Sequence, residues 1–218
     1  RQQPGNGDAW AWRTAILMVQ ADYAAARRGC DGLAAQATPL IGAACRAQVD
    51  AATGQAAAAA SALRTALAQQ PDASAEARLW ALTRLAETEE RRGAFPAAEA
   101  AFRSALALGL PDVYLQAAYA DFLLDRGRPA EVLALLKDRG RADVLLLRLA
   151  LAAKAAGDAS AAAHAQALAA RFAAAAQRGD ASHRKEEARF ALGVQGDADR
   201  VLPLAQQNFA VQKEPADA

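Results

Sequence analysis

The stretch LWALTRLAETEERRGAFPAAEAAFRSALALGLPD, residues 79–112, spells out two helices and the turn between them. Leu79, Leu82, Leu85 and Ala86 recur at the i, i+3, i+4 spacing of one buried helical face. Gly93 ends that helix as a left-handed cap, with Arg91 and Arg92 in the last turn complementing the helix dipole. Pro96 then falls in the first turn of a second helix, where a missing N–H costs nothing. Phe95, Ala98, Phe102, Ala105 and Leu106 make its buried face. Leu110-Pro111-Asp112 breaks the chain, and the Asp112 side chain is placed to cap the next helix.

The same grammar returns on both sides. Gly54, Gly93, Gly127, Gly157 and Gly196 follow one another at steps of 39, 34, 30 and 39 residues. A period in this range marks a solenoid of helical hairpins. Downstream, Tyr119 and Ala120 stand in register with Leu85 and Ala86, Gly127 follows Gly93, and Pro129 takes the Phe95 position. A shortened second helix is expected around Lys137 to Gly140. Leu149, Ala150, Gly157, Ala159 and Ala162 form the next copy, with a longer second helix running through Arg171 and Phe172. Ala188, Arg189, Gly196, Leu202 and Phe209 form the last. Upstream, Gly54, Ala59, Leu63, Ala66 and Pro71 make another copy. A degenerate first copy has Ala21 where the glycine belongs, then Tyr23 and Ala26. The chain is therefore expected to be all-α, with units at 7–39, 40–74, 75–112, 113–142, 143–181 and 182–218 forming a single domain over 1–218.

Composition agrees. Of 218 residues, 54% are hydrophobic but only 6% aromatic, and the excess is alanine, the strongest helix former. Signals for strands, meaning β-branched alternation between turn residues, are almost absent. A net charge of +1, from 25 basic and 24 acidic residues, provides no global field for nucleic acid or an anionic membrane. No apolar run approaches the roughly 18 residues of a membrane span, and the one at Val144 to Leu147 is stopped by Arg148. Arginine far outnumbers lysine, which in an alanine-rich chain fits GC-rich bacterial coding. The polar start, Arg1 to Asp8, without Met or an apolar signal core, leads us to expect a processed or trimmed piece of a longer repeat protein.

The Leu85-Ala86 pair, Gly93, Phe95, Ala98, Phe102, Ala105 and the Leu110-Pro111 break together resemble the tetratricopeptide repeat family. The resemblance covers nearly the whole chain and is strongest over residues 75–160. It implies a right-handed superhelical solenoid of about six antiparallel helical hairpins. Two departures stand out: Glu89 takes a position that the family favours as aromatic, and unit length varies from 30 to 39 residues.

In that family the first helix of each hairpin lines a concave groove that receives a protein or peptide segment. Carried over by register, the groove would comprise Gln48, then Trp80, Thr83, Glu87, Glu90 and Arg91, then Tyr114, Ala117, Asp121 and Asp125. It would continue with Leu147, Leu151 and Lys154, and end with His183, Glu186 and Phe190. Trp80 and Tyr114 would act as rigid anchors, or else fill the packing between repeats. Glu87, Glu90, Asp121, Asp125 and Glu186 would form an acidic stretch favouring a basic or N-terminal-amine partner, or else pair with arginines along their helices. Chaperone-tail binders of the family use a basic and amide clamp. Thr83, Glu87, Ala117 and Asp121 occupy such positions here, which argues against that activity.

Cys30 and Cys45 lie nearly symmetrically about the turn at Ala37, Thr38 and Pro39. Antiparallel helices joined there would bring them level, so a disulfide is reasonable if the Cα atoms come within about 7 Å. The alternative is two buried thiols acting as small hydrophobes. A disulfide would place the protein in the periplasm or outside the cell, and reduced cysteines in the cytoplasm.

His183, Glu186 and Glu187 share a helix start but would need another ligand to hold metal, and they read as a solvated, charged turn. His164 reads as a helix-surface residue. The sequence has no G-x-S-x-G, P-loop or H-E-x-x-H. We expect no cofactor and no catalysis, with a His/Glu metal enzyme as the remote alternative. Trp10, Trp12, Met18 and Val19 form an N-terminal apolar cluster that could mediate self-association, the basis of a structural or assembly role.

Overall fold

Gly54, Gly93, Gly127, Gly157 and Gly196 all adopt left-handed backbone, with φ between +64° and +88°. Ala21 adopts it too, at φ +60°. Each of the six closes the first helix of a pair. A glycine meets this conformation without a steric penalty, whereas Ala21 sets its Cβ against the following carbonyl.

The computed structural model describes residues 7–180 and 182–213. Among them are twelve α-helices, one π-helical segment and no strand. The chain packs as two compact units that meet in sequence at Pro111 and Asp112, the boundary read between the third and fourth repeats.

The first unit holds α1 (Gly7–Val19), α2 (Tyr23–Gln36), α3 (Pro39–Ala52), α4 (Ala56–Gln69), α5 (Ala75–Arg91) and α6 (Phe95–Leu106). Each helix packs on the next, and the first helices α3 and α5 also touch directly. Asp22, Thr38 and Ser74 cap α2, α3 and α5 by accepting from the backbone N–H three residues on. Small residues set the helix spacing: a Cβ on Gly42 would fall 2.4 Å from the Ala34 Cβ of the facing helix.

Met18, Ala26, Cys30, Leu33, Cys45 and Val49 form the first unit's core, with Trp10 and Trp80 packed against it. Cys30 and Cys45 are joined within that core, their Cα atoms 5.5 Å apart. Glu89, the departure from the aromatic pattern, is 1% exposed. It accepts a charged hydrogen bond from Arg64 on α4 and pairs with Arg92 at 3.1 Å, so a carboxylate fastens α4 to α5 where the family pattern would place a ring.

The N-terminal apolar cluster divides. Met18 is buried and Trp10 packs inward, while Trp12 is 73% exposed. Phe95 also departs from the buried face assigned to it and is 39% exposed, because it opens α6 rather than sitting within it.

The second unit holds α7 (Val113–Asp125), α8 (Pro129–Leu135), α9 (Asp143–Ala156), α10 (Ala161–Gln177), α11 (Arg184–Phe190) and α12 (Ala198–Phe209). A π-helical segment, Ala191–Gln195, continues α11. Consecutive helices pack in pairs, and the first helices α7, α9 and α11 touch in series. Leu146, Leu147, Leu168, Phe172 and Phe190 form the core between α9, α10 and α11.

The shortened second helix lies earlier in the sequence than the Lys137 to Gly140 expected for it. It is α8, and Lys137 to Gly140 is the turn beyond it, where Asp138 takes φ +61°. Leu202 and Phe209, which mark the last copy in the sequence, stand 63% and 43% exposed on α12.

Candidate functional site

The serial contact of α7, α9 and α11 brings one carboxylate and two guanidinium groups together in the second unit. Asp121, four residues from the end of α7, accepts from Arg148 of α9 at 3.0 and 2.6 Å. It accepts from Arg189 of α11 at 3.1 and 2.8 Å. Two planar forks thus close on one carboxylate, the bidentate geometry that arginine provides and lysine does not. Arg148 also donates to the Val144 carbonyl at 2.9 Å, and its side chain is 8% exposed.

Burial alone would raise the Asp121 pKa. The hydrogen bond from Arg189 and the charge of Arg148, joined by the charge of Arg189 and the hydrogen bond from Arg148, outweigh it and hold the carboxyl below its ordinary 3.8. Asp121 is therefore an ionised structural tie between three successive first helices.

Beside this tie lies a cleft of about 490 Å³. α7 lines it with Leu124 and Asp125, α9 with Leu151, Lys154 and Ala155, and α11 with Arg189. The π-helical segment adds Leu192 and Gly193. Leu192 is 60% exposed, so a large apolar side chain faces solvent at the rim. Gly193 allows the segment to lie against α9, since a Cβ there would fall 2.4 Å from Leu151 Cδ2. The Lys154 ammonium donates to the Val194 carbonyl at 2.8 Å, fastening the same segment to α9. The segment's wide turn closes with Gly196 at φ +72°, whose N–H reaches the Ala191 carbonyl. Such π turns recur at functional sites.

Of the residues assigned to a groove, Asp125, Leu151 and Lys154 line this cleft, and Asp121 sits beneath it through Arg189. Several others face inward. Thr83 is 2% exposed and its hydroxyl donates to the Leu79 carbonyl. Ala117 and Leu147 are buried, and Phe190 packs on Phe172 with ring centroids 5.6 Å apart. These four side chains are covered by the packing within their own units. Trp80, half-buried, packs against the core around the disulfide. Tyr114 is 52% exposed on α7, Arg91 is exposed, and Gln48 and Glu90 are half-buried.

The acidic stretch is largely neutralised within the fold. Asp121 is shared by two arginines, and Glu87 pairs with Arg84 at 2.9 Å. Glu186, half-buried, acts on Arg189 through its charge. His183 is the exposed residue preceding α11, and Glu187 pairs with Arg184 and Arg200 at 3.1 and 2.8 Å. Among the described residues, no group of three His, Cys, Asp or Glu is arranged to hold a metal ion.

Arg148, Arg189, Leu124, Ala155, Leu192 and Gly193 belong to the tie and the cleft but lie outside the groove positions that the sequence register picks out. Arg148 had a signal, since it interrupts an apolar run on a helix whose neighbours are all buried. Among the described residues, no helix is long and apolar enough to cross a membrane. No protein family, curated protein or solved structure matches this chain.

Proposed function

We propose that the protein is a non-catalytic binding scaffold that receives a peptide or protein segment on the surface of its first helices, with the helix pairs of each unit stacked as a tetratricopeptide-type solenoid. The supporting observation is the cleft itself. Its walls come from α7, α9 and α11 with its π extension, the first helices of three successive pairs, and from no second helix. Stacked hairpins expose such a surface as a consequence of their architecture. An open cleft with a leucine-lined floor and a few polar groups at its edge has the character of a binding site. The disulfide, buried at 0% and 2% exposure of its two residues, favours work in an oxidising compartment such as the periplasm or the exterior.

Two exposed leucines test this. Random peptides displayed on phage are selected on the purified protein, and the enriched sequences are then measured against Leu192→Glu and Leu202→Glu. Leu192 lines the cleft, whereas Leu202 is equally exposed on α12 outside its lining. Binding lost only with Leu192→Glu supports the scaffold. Equal binding by both variants overturns it.

A second reading, self-association in an assembly, has its own observation. Trp12 and Ile16 stand one helical turn apart on α1, 73% and 52% exposed. Light scattering would show a mass that rises with concentration and falls to the monomer value with Trp12→Glu. A constant monomer mass for the unsubstituted chain would remove this role.

A further inference from the structure

We infer, on the reading of this cleft as a peptide site, that the segment it receives presents an apolar side chain between one basic and one acidic side chain. The floor and the rim leucine, Leu124, Leu151 and Leu192, provide the apolar seat. The charges around it are of both signs and sit on different helices. Asp125, exposed, is the last residue of α7. Lys154 and Arg189 stand on α9 and α11.

Lys154 is held on the Val194 carbonyl rather than on Asp125, and that neutral acceptor leaves the ammonium charge uncompensated. Arg189 shares the single Asp121 carboxylate with Arg148, so two guanidinium groups are matched by one acid. The charges of Asp125 and Glu186 also act on Arg189, which limits the positive excess at the cleft and keeps it from being a simple anion site. A segment carrying only acids would meet Asp125, and one carrying only bases would meet Lys154 and Arg189. A segment carrying one of each can set its base toward Asp125 and its acid toward Lys154 while its apolar side chain covers the leucines.

The test uses fluorescein-labelled heptapeptides with a central leucine, followed by fluorescence anisotropy against the full chain. The flanking positions are lysine and glutamate in either order, two lysines, or two glutamates. One mixed-charge peptide is expected to bind about three-fold or more tighter than either like-charged peptide, the range of a few exposed ion pairs. Asp125→Lys, at an exposed helix end, should invert the ranking and make the doubly acidic peptide the tightest ligand. Such an inversion cannot come from partial unfolding. Equal binding of all the peptides, or a ranking unchanged by Asp125→Lys, would overturn the charge pattern. If those equal affinities vanish with Leu192→Glu, the peptide site stands without its charge preference. If Leu192→Glu leaves them intact, or no peptide binds, the peptide site itself fails.

Discussion

Removing the Asp121 carboxylate is the most demanding test of how the second unit is held together. In Asp121→Ala, Arg148 keeps only the Val144 carbonyl, with its side chain 8% exposed. Leaving a buried charge without its partner costs about 3–5 kcal/mol. The Asp121 and Arg189 side chains are 28% and 34% exposed, so solvent relieves part of that and the lower end, about 3 kcal/mol, applies. Arg189→Ala leaves the Asp121–Arg148 fork intact and should cost only about 1 kcal/mol. Arg148→Met combined with Asp121→Ala removes both buried charges and should recover most of the loss.

Urea unfolding followed by far-UV circular dichroism measures the series. The equivalent drop in melting temperature for Asp121→Ala is about 6–12 °C in a chain of this length. An Arg189→Ala loss equal to that of Asp121→Ala would refute the tie as drawn, as would a double variant no more stable than Asp121→Ala.

Acid provides an independent measure of the same tie. Burial opposes ionisation, but Arg189 and Arg148 together hold the carboxyl below 3.8. An acid with a depressed folded pKa stabilises fully above its unfolded value, and that stabilisation is lost as pH falls through the lower folded value. The wild-type chain should therefore lose stability steeply below about pH 3.8, and Asp121→Asn should flatten that limb.

Three further outcomes follow from the first unit and the helix caps. Replacing Cys30 and Cys45 by Ala opens a cross-link spanning 15 residues and should cost about 3 kcal/mol in a thermal melt, with no change caused by reductant in the variant. Ala21→Gly should stabilise by about 1 kcal/mol by relieving left-handed alanine, whereas Gly157→Ala should destabilise by a similar amount; chemical denaturation that reverses either sign would remove the cap argument. Gly42→Ala drives a Cβ into Ala34 between α2 and α3 and should cost about 1–3 kcal/mol, and a neutral result would show that those helices can part freely.

The helix pairs were legible because their signals are local. A left-handed glycine, a proline in the first turn and an Asp or Ser cap each act within a few residues, and the chain repeats them often enough to set the register. Ala21 shows how far the register reached, since it takes the glycine conformation without being glycine. The cysteine pair was legible for the same reason: two helices and one short turn fix its geometry. The length of α8 was not. It ends at Leu135 with Leu136 as its cap, and the left-handed residue of the turn that follows is Asp138 rather than a glycine.

The site was only half legible, because its decisive contacts join residues far apart in sequence. Helical periodicity relates Asp121 to Asp125 on one face, and from that an acidic surface follows. The partners that cancel Asp121 are Arg148 and Arg189, separated from it by 27 and 68 residues. With both guanidinium groups committed to that carboxylate, the cleft lining is not the acidic surface that periodicity suggests but one of mixed sign, with Asp125, Lys154 and Arg189 all contributing. Periodicity also misled at Phe190. A pattern of 3.6 residues per turn carries a groove face onto it, yet the helix widens into a π turn immediately afterwards. Phe190 packs inward on Phe172, and Leu192, two residues later, comes to the rim of the cleft. The backbone irregularity thus coincides with the change from core to the exposed rim of the cleft, held in place by Gly193 against Leu151 and by Lys154 on Val194.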